Sequence, residues 1–162
     1  MKSPVERIMV YIDGTEQSIT AAQYAICCAR YFEARFLAVY VIDTRALNEL
    51  RKARIFLEDE EISYEHDLES DAVRYLNYVR QLASAKGVGV ETMNLKGTIH
   101  QEISKAVKEQ NIDLLFIGEL SRIRSRRDEF YDETERAMRT AGCTVVIVKD
   151  EEQVLRLYEA LS

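Results

Sequence analysis

Short apolar runs alternate with helix-length segments along this chain, and that alternation constrains its fold more than any other feature. The runs are Ile8-Met9-Val10-Tyr11-Ile12, Phe36-Leu37-Ala38-Val39-Tyr40-Val41-Ile42, Val88 to Leu95, Asp113 to Ile117, and Thr144-Val145-Val146-Ile147-Val148. Between them apolar residues recur at helical spacing: Ile19, Ala22, Ile26 and Ala29, then Leu68, Ala72, Leu76, Val79 and Ala83 within a helix over 64–86. Ile103, Ala106 and Val107 mark the next helix, and Phe130, Thr134, Ala137, Met138 and Ala141 the one after it. Continuous apolar strands must be covered on both faces, so the pattern predicts an α/β protein with an open, doubly wound sheet of five parallel strands. A length of 162 residues fits one domain, 1–150, with 151–162 as a C-terminal helical extension bearing Val154, Leu155, Tyr158 and Leu161. Val88, Val90 and Thr92 alternate as an edge strand does, whereas residues 44–63 follow neither period clearly and include the acidic run Glu58-Asp59-Glu60-Glu61.

Composition excludes several function classes. The net charge is −6, which argues against nucleic acid as a partner, since phosphate backbones bind basic faces. No run approaches the roughly 18 apolar residues of a membrane span, and the first residues lack the pattern of a secretory signal, so a cytosolic protein is expected. Cys27, Cys28 and Cys143 form no CxxC pair and read as buried hydrophobes rather than disulfide or zinc residues. Only two histidines are present, His66 and His100, with no metal-ligand spacing around them, so no metal site is expected. GxSxG and GxxxxGK[ST] are both missing, which removes nucleophile-elbow hydrolases and P-loop enzymes. A receiver domain shares the alternation but needs an acceptor Asp where strand three here ends near Asn94.

In a doubly wound sheet ligands sit beyond the carboxyl ends of the strands, at the point where strand order reverses. The residues placed there are Asp13, Asp43, Gly97 and Gly118. Asp13 has two readings, a ligand-binding carboxylate or a partner for the free amides that open the next helix, which Thr15 is placed to cap. Thr98 and Gln101 have the spacing of a capping box. His100, one turn into that helix, reads as an exposed side chain.

Taken in order, the segments Ile8 to Glu16, Arg35 to Asp43, Gly97 to Ile103, Ile112 to Gly118 and Glu135 to Val148 resemble those of the universal stress protein family. The resemblance implies strand order 3-2-1-4-5, an adenine nucleotide alpha hydrolase-like fold, and a homodimer joined through Val145 to Val148. Some members of the family bind ATP, through an Asp matching Asp13, main chain near Val41, and a pattern G-x2-G-x9-G-[ST] after strand four. Here the pattern keeps Gly118, but Ser121, Tyr131 and Asp132 stand at its other positions. Main-chain donors of a phosphate loop need glycines for close approach, Tyr131 fills space, and a carboxylate at Asp132 repels phosphate. Tyr11, on the same strand face as Asp13, narrows an adenine pocket.

The expected function is therefore a dimeric cytosolic binding or regulatory module with a degenerate nucleotide loop, not a dedicated enzyme. The alternative is a member that binds ATP or another adenine nucleotide with slow or no hydrolysis. Its cleft residues would be Asp13, Val41, Gly97, Gly118, Ser121 and Arg122. Arg122, Arg124, Arg126 and Arg127 either pair with Asp128, Glu129, Asp132 and Glu133 on the surface or hold an anion. A further protein partner is compatible with either function. Chain-wide usage would place about 11 glycines and 8 prolines in this length, yet there are six and one, which predicts long regular elements and few places where a backbone can wrap a phosphate.

Overall fold

The computed structural model describes residues 3–45, 48, 58–120 and 129–162. In chain order its elements are β1 (Arg7–Ile12), α1 (Glu16–Phe32), β2 (Arg35–Asp43), α2 (Glu58–Ser84), β3 (Glu91–Gly97), α3 (Ile99–Glu109), β4 (Leu114–Gly118), α4 (Glu129–Thr140), β5 (Thr144–Val148) and α5 (Glu151–Ala160). The strands form one parallel sheet in the order β3-β2-β1-β4-β5, as the resemblance implies.

The strand period of two divides the core. Ile8, Val10 and Ile12 face Ala22, Ala25 and Ile26 of α1, Leu76 and Val79 of α2, and Val154 and Tyr158 of α5. Met9 and Tyr11 point the other way, against Ile99, Ile103 and Val107 of α3 and Ala137 of α4. Helices therefore cover both faces, and the central β1 is buried along nearly its whole length.

Several boundaries differ from the sequence expectation. The helix expected over 64–86 begins at Glu58, because the acidic run suits a helix start, where the dipole favours negative charge. β3 begins at Glu91 rather than Val88, since Val88 and Val90 pack onto the core as non-strand residues instead of pairing. α4 ends at Thr140, and Gly142 after it has no positive φ. Left-handed positions instead fall on Glu33 after α1, on Asn111 after α3, and on Asp150 before α5, as well as on Gly14, Gly87 and Gly97. That use of non-glycine residues accounts for part of the glycine shortage. Cys27, Cys28 and Cys143 are half-buried free thiols. Of the segment 44–63, the residues Leu47, Leu50, Ile55, Phe56 and Leu57 lie outside the described residues. No helix among the described residues is long and apolar enough to cross a membrane.

Candidate functional site

The order β3-β2-β1-β4-β5 reverses direction between β1 and β4, so the crevice of this fold opens above Ile12 and Gly118. Asp13 leaves β1 there. Its Oδ1 accepts from the Thr15 amide at 2.9 Å and the Thr15 hydroxyl at 2.6 Å, while Thr15 Oγ1 accepts from the Ser18 amide at 3.1 Å. The capping role of Asp13 is therefore realised, with the carboxylate held at the mouth of the crevice. The Asp13 amide donates to Ser18 Oγ at 3.4 Å.

Gly118 ends β4 against the same helix turn. A Cβ there would lie 2.5 Å from the Gln17 carbonyl carbon and 2.8 Å from the Ser18 nitrogen, so α1 itself demands glycine at this position. Val41 is buried beside Tyr11; β2 pairs Tyr40 with Ile12, which carries the Val41 main chain to the level of Asp13. Asp13, Val41 and Gly118 thus come together. Gly97 does not join them: it pairs with Asp43 on the far side of the sheet, three strands from Gly118, about 14 Å at ordinary strand spacing. Asp43 Oδ1 accepts from the Arg45 amide at 3.0 Å. Ser121 and Arg122, with the other loop arginines, lie outside the described residues, and of Tyr131 and Asp132 only the helical backbone is described.

A second cluster is built on a residue that the sequence pattern placed in a solvated charge cluster. Glu133 of α4 is only 1% exposed. Its Oε2 accepts from the His100 amide at 3.2 Å and from His100 Nδ1 at 2.7 Å, and its Oε1 lies 3.3 Å from both Arg45 Nη1 and Arg136 Nη1. This corrects two expectations. His100 is not an exposed histidine, and the capping box of Thr98 and Gln101 does not form, because the Thr98 side chain makes no cap bond. A carboxylate from α4 supplies the anion that the start of α3 favours. Burial alone would push the Glu133 carboxyl up, but the His100 donors and the Arg45 charge outweigh it and hold the group below the usual carboxylate range.

Tyr11 ties this cluster to the strand ends. Burial raises its phenol well above the ordinary value, and the nearby charges of Asp13, Asp43 and Glu133 raise it further. Across the sheet, Tyr40 stacks on Tyr75 of α2 with centroids 6.3 Å apart, and the Tyr75 ring covers Gly14. Among the described residues no group of three or more His, Cys, Asp or Glu is arranged to hold a metal ion.

An ATP molecule can be tested against these residues. The Asp13 carboxylate and Val41 main chain suit an adenosine end. At the phosphate end, Gly118 turns its Cα toward the α1 backbone, His100 and Arg45 are engaged by Glu133, and Ser121 and Arg122 lie outside the described residues.

Comparison with known proteins agrees with the architecture. The chain is 28% identical over 144 residues to a universal stress protein of Methanocaldococcus jannaschii, covering 89% of this chain and 82% of that relative. Its fold is similar to that of a universal stress protein family member from Burkholderia pseudomallei, with a TM-score of 0.70, 19% identity, and coverage of 93% of this chain and 100% of the other. It is also similar to a universal stress protein of Archaeoglobus fulgidus solved in complex with dAMP, with a TM-score of 0.62, 15% identity, and coverage of 91% and 100%. The universal stress protein family model matches residues 4–149, leaving out α5, and with that match over the whole sheet the chain belongs to the universal stress protein family.

Proposed function

We propose that this chain is a cytosolic binding and regulatory module, working as a homodimer and not as a dedicated enzyme, whose cleft takes an adenine nucleotide without the glycine loop used by ATP-binding relatives. The observation that carries this reading is the convergence of Asp13, the Val41 main chain and Gly118 at the strand-order reversal, the place where such sheets hold ligands. The dAMP bound by the Archaeoglobus fulgidus protein supports adenine as the base. Ser121 and Tyr131 at glycine positions argue against a main-chain grip on phosphate.

Denaturing the purified protein and chromatographing the supernatant tests the reading directly. Adenine nucleotide in stoichiometric amount, or stabilisation by added nucleotide in a thermal shift, is the expected result. A nucleotide-free protein that no adenine compound stabilises would leave a protein-interaction module with a filled cleft.

A further inference from the structure

We infer that Tyr75 of α2 is a positioning residue for the cleft: its ring holds the Asp13-Gly14-Thr15 turn, and through it the Asp13 carboxylate, in the orientation that receives a ligand. The ligand half of this inference rests on the nucleotide reading above; the hold on the turn does not. Gly14 has a φ of +85°, in the left-handed region. A Cβ added there would lie 2.8 Å from Tyr75 Cε2 and 3.0 Å from Tyr75 Cζ, so the ring packs directly on the Gly14 main chain. The residues on either side of Gly14 are the two whose bonds fix the carboxylate, since Asp13 Oδ1 accepts from the Thr15 amide and hydroxyl. With Oδ1 tied to the turn, the direction of Oδ2 follows the turn.

The ring is itself braced. Tyr40 of β2 lies nearly parallel to it, with an interplanar angle of 7° and centroids 6.3 Å apart. Arg74 Cζ stands 5.1 Å from the Tyr75 centroid, and Arg74 Nη2 donates to Asp71 Oδ1 at 3.0 Å. Tyr40 pairs with Ile12 in the sheet and precedes Val41. Tyr75 therefore meets both strand ends that the adenosine end of the cleft uses, β1 through Gly14 and β2 through Tyr40. A turn braced in advance loses less freedom when a ligand arrives, which strengthens binding without any contact between Tyr75 and the ligand. A small side chain at position 75 leaves the turn resting on glycine, the residue with the most backbone freedom, and binding must then order it.

Titration calorimetry with AMP and ATP, together with amide hydrogen exchange by NMR, on the wild type, Tyr75→Phe and Tyr75→Ala, tests the inference. Tyr75→Phe keeps the ring and should match the wild type in both readouts. Tyr75→Ala should weaken nucleotide binding at least about tenfold. It should also speed exchange of the Thr15 amide while the amides of β4 exchange as in the wild type. A side chain that only packed would instead lower protection throughout the core. Should Tyr75→Ala fail to fold, Tyr75→Leu, which keeps apolar volume without the flat ring, takes its place with the same expectation. Thr15 exchange unmoved in a folded variant, or protection lost evenly over β4 and the turn, overturns the inference. Wild-type affinity in a variant whose Thr15 amide is loosened overturns its ligand half. If neither AMP nor ATP binds the wild type, the nucleotide reading falls, and Thr15 exchange still decides whether Tyr75 holds the turn.

Discussion

A carboxylate with almost no exposure is held in the ionised state only by its partners, and Glu133 has donors on both oxygens. Breaking such an arrangement costs more than any surface pair, because the partners are left buried and unbalanced. Glu133→Gln retains acceptor capacity at one atom, so a loss of about 2–3 kcal/mol at neutral pH is expected by chemical denaturation. The pH dependence has a fixed sign. The folded-state pKa lies below the unfolded value, so the stabilisation is fully present above about pH 4.3, the ordinary Glu value, and disappears as pH falls through the folded pKa. Wild type and Glu133→Gln should therefore converge in stability as the solution is acidified; a constant gap down to pH 3 would contradict the ionised assignment. Glycine positions offer a second residue-scale contrast. Gly118→Ala drives a Cβ into the α1 backbone, which cannot yield as a side chain tip does, and should cost about 3 kcal/mol or more. Gly142→Ala meets nothing within 4 Å at a non-positive φ and should be close to neutral in the same urea titration.

Among the elements, α5 is the one that lies outside the family match, yet it is packed as core. Val154 and Tyr158 are buried against α1 and α2, the Tyr158 hydroxyl donates to the Leu82 carbonyl at 2.7 Å, and Lys86 Nζ donates to the Leu161 carbonyl at 2.8 Å. Tyr158→Phe removes one hydrogen bond and should lower stability by about 1 kcal/mol, whereas Tyr158→Ala also opens a cavity and should cost about 3–5 kcal/mol, measured by thermal or urea unfolding. The same packing logic explains what was legible beforehand. Strands and helices announce themselves when burial imposes a period, as it does on Ile8 to Ile12 and on Leu68 to Ala83. The first turns of α2 have acidic residues in place of an apolar stripe, so their helical state left no periodic trace. Asp13, Val41 and Gly118 could be placed because strand ends are defined by the strands themselves. Glu133 could not, since it sits in a charged stretch from Asp128 to Arg136 and its partners come from two remote segments, around Arg45 and His100. Only the folded chain distinguishes a carboxylate turned inward from its solvated neighbours.

On the scale of the whole molecule, the two edges of the sheet are built differently. β3 carries Glu91 and Lys96, which pair with Arg35 at 2.6 Å and with Glu69, and charged side chains on an edge oppose addition of another strand. β5 carries no charge along Thr144-Val145-Val146-Ile147-Val148, and residues 144–147 retain some exposure. An uncharged edge of that kind invites strand pairing, and a second copy of the same chain satisfies it with a symmetric contact. α5 stands next to this edge, with Leu157 and Tyr24 lining the groove beside Val146. Sedimentation velocity at micromolar concentration should thus report a dimer. Val146→Lys places an ammonium on the edge and should shift the population to monomer while the far-ultraviolet circular dichroism stays that of the folded chain. Exposed Asp67 of α2, the helix that packs on β2 and β3 on the other side of the sheet, serves as the control, and Asp67→Lys should leave the dimer intact. A wild-type monomer under these conditions would mean that the uncharged edge is protected within one chain, with α5 as its cover rather than as its neighbour in an interface.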